Sequence, residues 1–189
     1  MMHSVSTRRV FAAVAALSVL LAAPLASALD AFLQIEGAEM KGDSKDKDFR
    51  DAIEIDSFSF GVQNTGASSP GAGRGRSAPN FTELSVQKSA DSASTYLFMA
   101  AANGTLLKSV TLSLKKSGGD KGGVFYKVTL KDAQVASVQT SAAPKGDAVP
   151  TESVTFSFAS IIIEYTAADP KGGPGKKHTF SWDTKNVRQ

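Results

Sequence analysis

The sequence predicts an all-β domain: a two-sheet β-barrel or sandwich with one flanking α-helix. Three observations predict it. Apolar residues recur mostly at every second position, which is the period of a strand. A glycine-rich joint, Ser117-Gly118-Gly119-Asp120-Lys121-Gly122-Gly123, links the two clearest alternating runs as a hairpin. Two other long runs switch apolar parity midway, which needs an extra residue or a strand that passes between sheets.

The first 28 of the 189 residues read as an export leader rather than as fold. Arg8 and Arg9 supply a positive start, an apolar run follows from Val10 to Ala23, and Ala26-Ser27-Ala28 reads as a small-residue cleavage site, with Ala26 and Ala28 as its determinants. The apolar run falls short of the ~20 residues that span a bilayer, so no membrane span is expected in the mature form. Thr7-Arg8-Arg9-Val10-Phe11 resembles a twin-arginine signal, and the general and twin-arginine routes both stay open. The mature domain is then 29–189, exported to the periplasm or beyond the cell.

The leader holds two of the 21 Lys and Arg residues and none of the 18 acids, so the mature chain sets 19 cations against 18 anions. That balance carries no basic stripe of the kind nucleic acid requires. Lys115-Lys116 and Lys176-Lys177 read as solvated strand ends and loops. There is no cysteine, which excludes thiol nucleophiles, thiolate zinc sites and iron–sulfur clusters.

Along the mature chain, Ala31 to Gly37 reads as a short strand. Asp43, Asp46 and Asp48 follow with Lys41, Lys45 and Lys47 interleaved. A calcium loop wants uncancelled alternate acids and a late Glu, so this reads as a solvated charged turn. Ala52 to Val62 is a parity-switching strand, with Ile53 and Ile55 giving way to Phe58, Phe60 and Val62. Asn64 to Pro79 holds Gly66, Gly71, Arg74 and Arg76 but no large apolar residue, so it reads as a long exposed loop, and loops of that length are usually functional. Its Gly71-Ala72-Gly73-Arg74-Gly75 lacks the Lys-Ser/Thr pair and following helix of a phosphate loop.

Asn80 to Lys88 is a further strand. A helix follows, capped by Asp91 or Ser92, carrying a stripe of Tyr96, Leu97, Ala100 and Ala101, and ended by Asn103-Gly104. It is expected to pack over an open end of the barrel. Leu106 to Lys116 turns Val110, Leu112 and Leu114 one way. Val124 to Val138 turns Val124, Tyr126, Val128 and Leu130 one way. Ala142 to Pro150 is a loop. Ser153 to Tyr165 switches parity between Val154, Phe156, Phe158 and Ile161, Ile163, Tyr165. Ala168 to Lys177 reads as another loop before a last strand, Thr179 to Thr184. Strands this long and bent suit a barrel or orthogonal sandwich.

No catalytic, cofactor or metal site emerges. His178 is the one histidine of the mature chain, and on a regular strand it points away from Ser181 and Asp183, so it forms no triad with them. Glu54 with Asp56, and Asp132 with Gln134, share faces as rim or interface pairs. Tyr165, Phe180 and Trp182 could form a sugar platform but read as core. An enzyme is not expected, and neither is a nucleic-acid partner.

Several segments together resemble one family. They are Lys41-Gly42-Asp43-Ser44-Lys45-Asp46-Lys47, Glu54-Ile55-Asp56 followed by Phe58, Phe60 and Gly61, and Leu84-Ser85-Val86-Gln87-Lys88. They continue with Asp91 to Gly104, Thr129 to Val135, Glu152 to Phe158 and Trp182-Asp183. In order and spacing the mature chain resembles the haemolysin-coregulated protein (Hcp) family of type VI secretion. The resemblance implies a barrel that self-assembles as a homo-hexameric ring, rings that stack into a tube, and small effector proteins carried in the lumen. It implies that Asn64 to Pro79 is the protruding loop that reaches a neighbouring ring. Two features depart from the family: Phe58 and Phe60 stand where tryptophans are common, and tube subunits of that machine carry no leader. A stand-alone exported binding or scaffold module with the same barrel is the alternative the leader suggests.

Overall fold

The protein is described from a computed structural model covering residues 29–37, 40–64, 79–116, 123–143, 145–146 and 149–184. The leader with Ala26 and Ala28 lies outside the described residues. So do Gly66, Gly71, Arg74 and Arg76, and the 117–122 hairpin tip. The elements in chain order are β1 (Leu29–Glu36), β2 (Ile53–Glu54), β3 (Ser57–Ser59), β4 (Val62–Asn64), β5 (Pro79–Phe81) and β6 (Leu84–Ser89). Then come α1 (Ser94–Asn103), β7 (Leu106–Lys116), β8 (Val124–Ser141), β9 (Thr151–Ser157), β10 (Ser160–Ala168) and β11 (Pro174–Asp183).

Hydrogen bonding runs in the order β2-β1-β7-β8-β9-β6-β3. The two ends of that path, β2 and β3, are halves of one bent segment. Ile55 N–H reaches Ala31 O at 2.9 Å and Asp56 N–H reaches Gln87 O at 2.8 Å, so the segment leaves β1 and joins β6 within two residues. The path therefore closes into a barrel, and the corner falls where apolar parity switches from Ile53 and Ile55 to Phe58.

The second parity switch has the same cause. β9 and β10 run end to end along β8, with Gln134 opposite Ser157 and Lys131 opposite Ser160. At the kink, β9 takes β6 as its other neighbour while β10 takes β11. On β8 the kink is marked by Asp132, held at φ 47°, a left-handed conformation that few non-glycine residues adopt. β10 and β11 thus form a two-stranded wing that extends the sheet away from the barrel.

One core lies inside. Leu33, Val110, Leu112, Val128, Leu130, Ile161, Val154, Phe156, Leu84 and Val86 meet there, and Leu97 and Ala100 of α1 join them. The helix ends as expected, with Gly104 left-handed at φ 66° and its N–H on Ala100 O. Its start differs: Ala93 is the cap residue, and Asp91 Oδ1 accepts the Ala93 N–H at 3.0 Å. The stripe is narrower than expected, because Leu97 and Ala100 face the core while Tyr96 is 46% exposed.

The predicted solvated turn at 41–48 is docked instead. Phe32 of β1 stacks on Phe49 at 4.6 Å between centroids, with Ala52 beside them, so residues 40–52 cover the back of β1 and β7. Gly42 makes the approach possible, since a Cβ there would lie 2.6 Å from Ile53 Cα. This cover also buries Ser113 and Lys115, and the predicted place of Lys115 was a solvated strand end. The predicted loop at 168–177 is shorter than expected: Asp169 Oδ1 accepts the N–H groups of Lys171 and Gly173, and the strand resumes at Pro174.

Candidate assembly surface

β3–β4 and β5–β6 form one long hairpin that leaves the barrel. Gly61 N–H donates to Thr82 Oγ1 at 2.7 Å and Thr82 N–H to Gly61 O at 2.9 Å, joining the barrel part to the ribbon part. Asn64 and Pro79, the ends of the predicted loop, face each other as the last pair of the ribbon. The segment between them therefore springs from adjacent strands at the hairpin's far end.

The ribbon is anchored by aromatic contacts. Phe81 lies 6.4 Å from Phe158, 6.5 Å from Phe180 and 6.2 Å from Trp182. These rings cover the core side of the wing only in part. Phe180 is 44% exposed and Trp182 37%, and Tyr165 is likewise exposed, so the expectation that these rings are core is corrected. The reason is positional: on β10 the same rows hold Ile163 and the fully buried Ile161, and β11 lies one strand beyond the barrel's cover.

The opposite face of the same strands is polar except for Ile162, and the 40–52 segment covers its β7 end at Ser113 and Lys115. Across β7, β8, β10 and β11 one row reads Ser109, Lys131, Ser160, Asp183, and another reads Ser113, Lys127, Glu164, Thr179. Glu164 takes an ion pair from Lys177 of β11. A shallow depression of about 200 Å³ opens beside it, lined by Tyr126, Lys127, Glu164 and Lys177. It is smaller than the usual 300–1,000 Å³ of a small-molecule site. His178 stands opposite Tyr165 on β11, and Ser181 lies opposite Ile162, so the regular strand separates the histidine from Ser181 and Asp183 as parity requires.

Two charged clusters brace this surface. Lys88 of β6 is fully buried, with Nζ 2.7 Å from Asp91 Oδ1, 2.9 Å from Glu152 Oε2 of β9 and 3.2 Å from Ser94 Oγ. Burial pushes the Glu152 carboxyl up, but hydrogen bonds from Ser94 and Lys88, the Lys88 charge and a bond from Thr140 outweigh it and hold it below the usual range. Sequence reasoning missed this cluster, yet a signal exists. Lys88 shares the inward parity of Leu84 and Val86, and Glu152 that of Val154 and Phe156, so two opposite charges point into one core from paired strands.

The second cluster docks residues 40–52. Lys115 Nζ lies 2.7 Å from Asp46 Oδ2 and 2.8 Å from Asp48 Oδ2. The Lys115 hydrogen bond, then the Asp48 N–H, hold the Asp46 carboxyl low, and bonds to Asp46 and Asp48 raise the Lys115 ammonium. Asp43 accepts from the Ser92 hydroxyl at 2.6 Å and from its N–H at 3.2 Å, which lower its carboxyl and tie the segment to the start of α1. These three acids are engaged by protein donors. Among the described residues, no group of three His, Cys, Asp or Glu is placed to hold a metal. No helix among them is long and apolar enough to cross a membrane.

Known proteins share this fold. The family described as "Type VI secretion system effector, Hcp" matches residues 32–165. Protein hcp1 of Pseudomonas aeruginosa is 33% identical over 166 residues, 86% of this chain and 97% of that protein. A type six secretion system protein of known structure superposes with a TM-score of 0.78 at 26% identity, covering 85% of this chain and 99% of its own. Hcp1 from Salmonella typhimurium does so with 0.68 at 27% identity, covering 84% and 96%. The matched span holds the barrel from β1 through β10, the helix and both charged clusters, and the chain belongs to the Hcp family of type VI secretion proteins.

Proposed function

We propose that the mature chain, residues 29–189, is a non-enzymatic structural subunit that assembles into a closed homo-hexameric ring. In this reading the rings stack into a tube through the 64–79 segment and carry small effector proteins in a polar lumen. The observation that carries the reading is the two-sided sheet of β7, β8, β10 and β11. Its inner rows, such as Leu112, Val128 and Ile163, build the core, while the outer face beyond the 40–52 cover, with Lys127, Thr129 and Lys131 of β8, Ser160 and Glu164 of β10 and Thr179 and Ser181 of β11, is polar but for Ile162 and suits a wet wall. A mature charge balance close to neutral lets identical subunits approach without strong self-repulsion. The leader-like residues 1–28 favour a second reading, a stand-alone exported scaffold with this barrel that is not loaded into a type VI apparatus. Light scattering coupled to gel filtration, with negative-stain microscopy, tests the first. Closed rings are expected, and a monomer persisting at high micromolar concentration overturns the assembly reading.

A further inference from the structure

β8 and β10 separate at one end of the wing. Their pairing stops at Tyr126–Tyr165, yet β8 begins at Val124 and β10 runs on to Ala168. Both strands bulge there. Leu114 faces Tyr126 and Lys115 faces Val124, so Phe125 has no opposite residue on β7 either. On β10, Thr166 faces Lys177 and Ala168 faces Pro174, so Ala167 falls within a register shift. Bulges end pairing and re-aim side chains, and they gather at sheet edges and beside active sites. The result is a notch between Val124–Phe125 and Thr166–Ala168. Two adjoining depressions, of about 100 and 200 Å³, share Val124, Phe125 and Thr166 in their lining.

Lysines surround the notch. Lys116 holds its ammonium 5.3 Å from the Phe125 ring centre. Lys127 and Lys177 line the larger depression with Glu164. Lys177 pairs with Glu164, whereas Lys116 and Lys127 form no ion pair among the described residues. The other described acids of this end are engaged or distant. Asp169 Oδ1 accepts the N–H groups of Lys171 and Gly173. Asp30 stands on β1, beyond β7, and Asp183 stands at the far end of β11, opposite Ser160.

The geometry points to this notch as the docking site of an extended acidic segment of a partner protein. The site stands whether or not the chain forms rings. Past Tyr126–Tyr165 no pairing joins the two strand edges, so an inserted extended chain can pair with one of them while its alternate side chains turn towards the lysines. The depressions are open and together reach only about the lower limit of a small-molecule pocket, which buries most of its ligand. Phosphate is usually held by free backbone N–H groups or by guanidinium forks. Here the N–H groups of Lys171 and Gly173 already serve Asp169, and among the described residues no arginine lines the notch. Ammonium groups around an aromatic floor suit the carboxylates of Asp and Glu side chains instead.

Fluorescence anisotropy with a labelled peptide of alternating Glu and Val tests the site. A Lys–Val peptide and a single-stranded oligonucleotide with as many negative charges serve as comparisons. The Glu–Val peptide is expected to bind, more weakly as salt rises, and each comparison to bind at least about tenfold more weakly. Lys116→Glu combined with Lys127→Glu is expected to weaken the Glu–Val peptide at least about tenfold. Glu164→Gln, which frees Lys177 from its partner, is expected to tighten it, a gain that misfolding cannot produce. Lys131→Glu, on the same strand and face as Lys127 but outside the notch, is expected to leave binding unchanged. Far-UV circular dichroism establishes that each variant is folded. Bound peptide is expected to slow amide exchange at Phe125 and Ala167. No binding at millimolar peptide, an equal loss in Lys131→Glu, or no gain in Glu164→Gln overturns the site. An oligonucleotide held as tightly as the peptide overturns it in favour of a general anion patch.

Discussion

The Lys88 ammonium lies 2.9 Å from the Glu152 carboxylate, in a place neither side chain shares with water. Asp91 and Ser94 complete the cluster, so one buried cation fixes the start of α1 to strands β6 and β9. Removing one partner leaves an uncompensated buried charge, which typically costs about 3–5 kcal/mol. Lys88→Met is therefore expected to lower the unfolding free energy by about that amount in urea melts. Lys88→Met combined with Glu152→Leu is expected to cost less than Lys88→Met alone, because the stranded Glu152 charge is gone. A double variant as damaged as the sum of the singles rules out the coupling.

The same carboxylates set the acid limit. Glu152, Asp46 and Asp43 all titrate below their ordinary values when folded. A depressed folded value means stability that is fully present above the ordinary carboxylate range, at about pH 4, and lost as pH falls through the folded values. Lys115 is raised, so its share is present below the ordinary lysine value and lost as pH rises through the folded one. Thermal melts should show a plateau through neutral pH and a steep fall below about pH 4. In Asp46→Asn the fall should be shallower, and an unchanged profile counts against the Lys115 contact.

Docking of residues 40–52 rests on Gly42 and the Phe32–Phe49 stack. A side chain at position 42 meets the Ala52–Ile53 backbone, which cannot swing aside as a flexible side chain would. Gly42→Ala is expected to cost about 1–3 kcal/mol, the usual range for overpacking. Phe49→Ala should cost about 3 kcal/mol, near the low end for a lost buried aromatic ring. Hydrogen exchange should then rise at Ser113 and Lys115, the β7 residues beneath the segment, and not in α1's buried face. Equal exchange everywhere would indicate global unfolding rather than undocking.

The barrel was legible because its signals are local. Alternation marked β7 and β8, and a parity switch requires an extra residue or a strand that changes sheets, so counting marked the two places where the chain turns, at Ile55–Asp56 and Phe158–Ala159. What stayed hidden depends on distant segments. Nothing around Asp43, Asp46 and Asp48 reveals that Lys115, about seventy residues on, waits on the back face of β7. Composition misjudged 168–177 because one Asp169 carboxylate, not a long loop, makes that turn. Trp182 and Phe180 carried core parity, but parity says nothing about whether a neighbouring element arrives to cover them.

β1 starts at Leu29, directly after Ala28, and Leu29 already pairs with Lys116, so a chain cut there keeps every β1 pairing through Glu36. A cut a few residues later would remove the Asp30–Lys115 and Ala31–Leu114 pairs and expose the rim of the core. Cleavage after Ala28 would keep every described pairing of β1 with β7. Intact-mass spectrometry of protein from the native host is expected to give the mass of residues 29–189, with Ala28→Arg blocking the cut. A cytoplasmic product that keeps Arg8 and Arg9 overturns the export reading and leaves the ordinary leaderless route of a type VI subunit in its place.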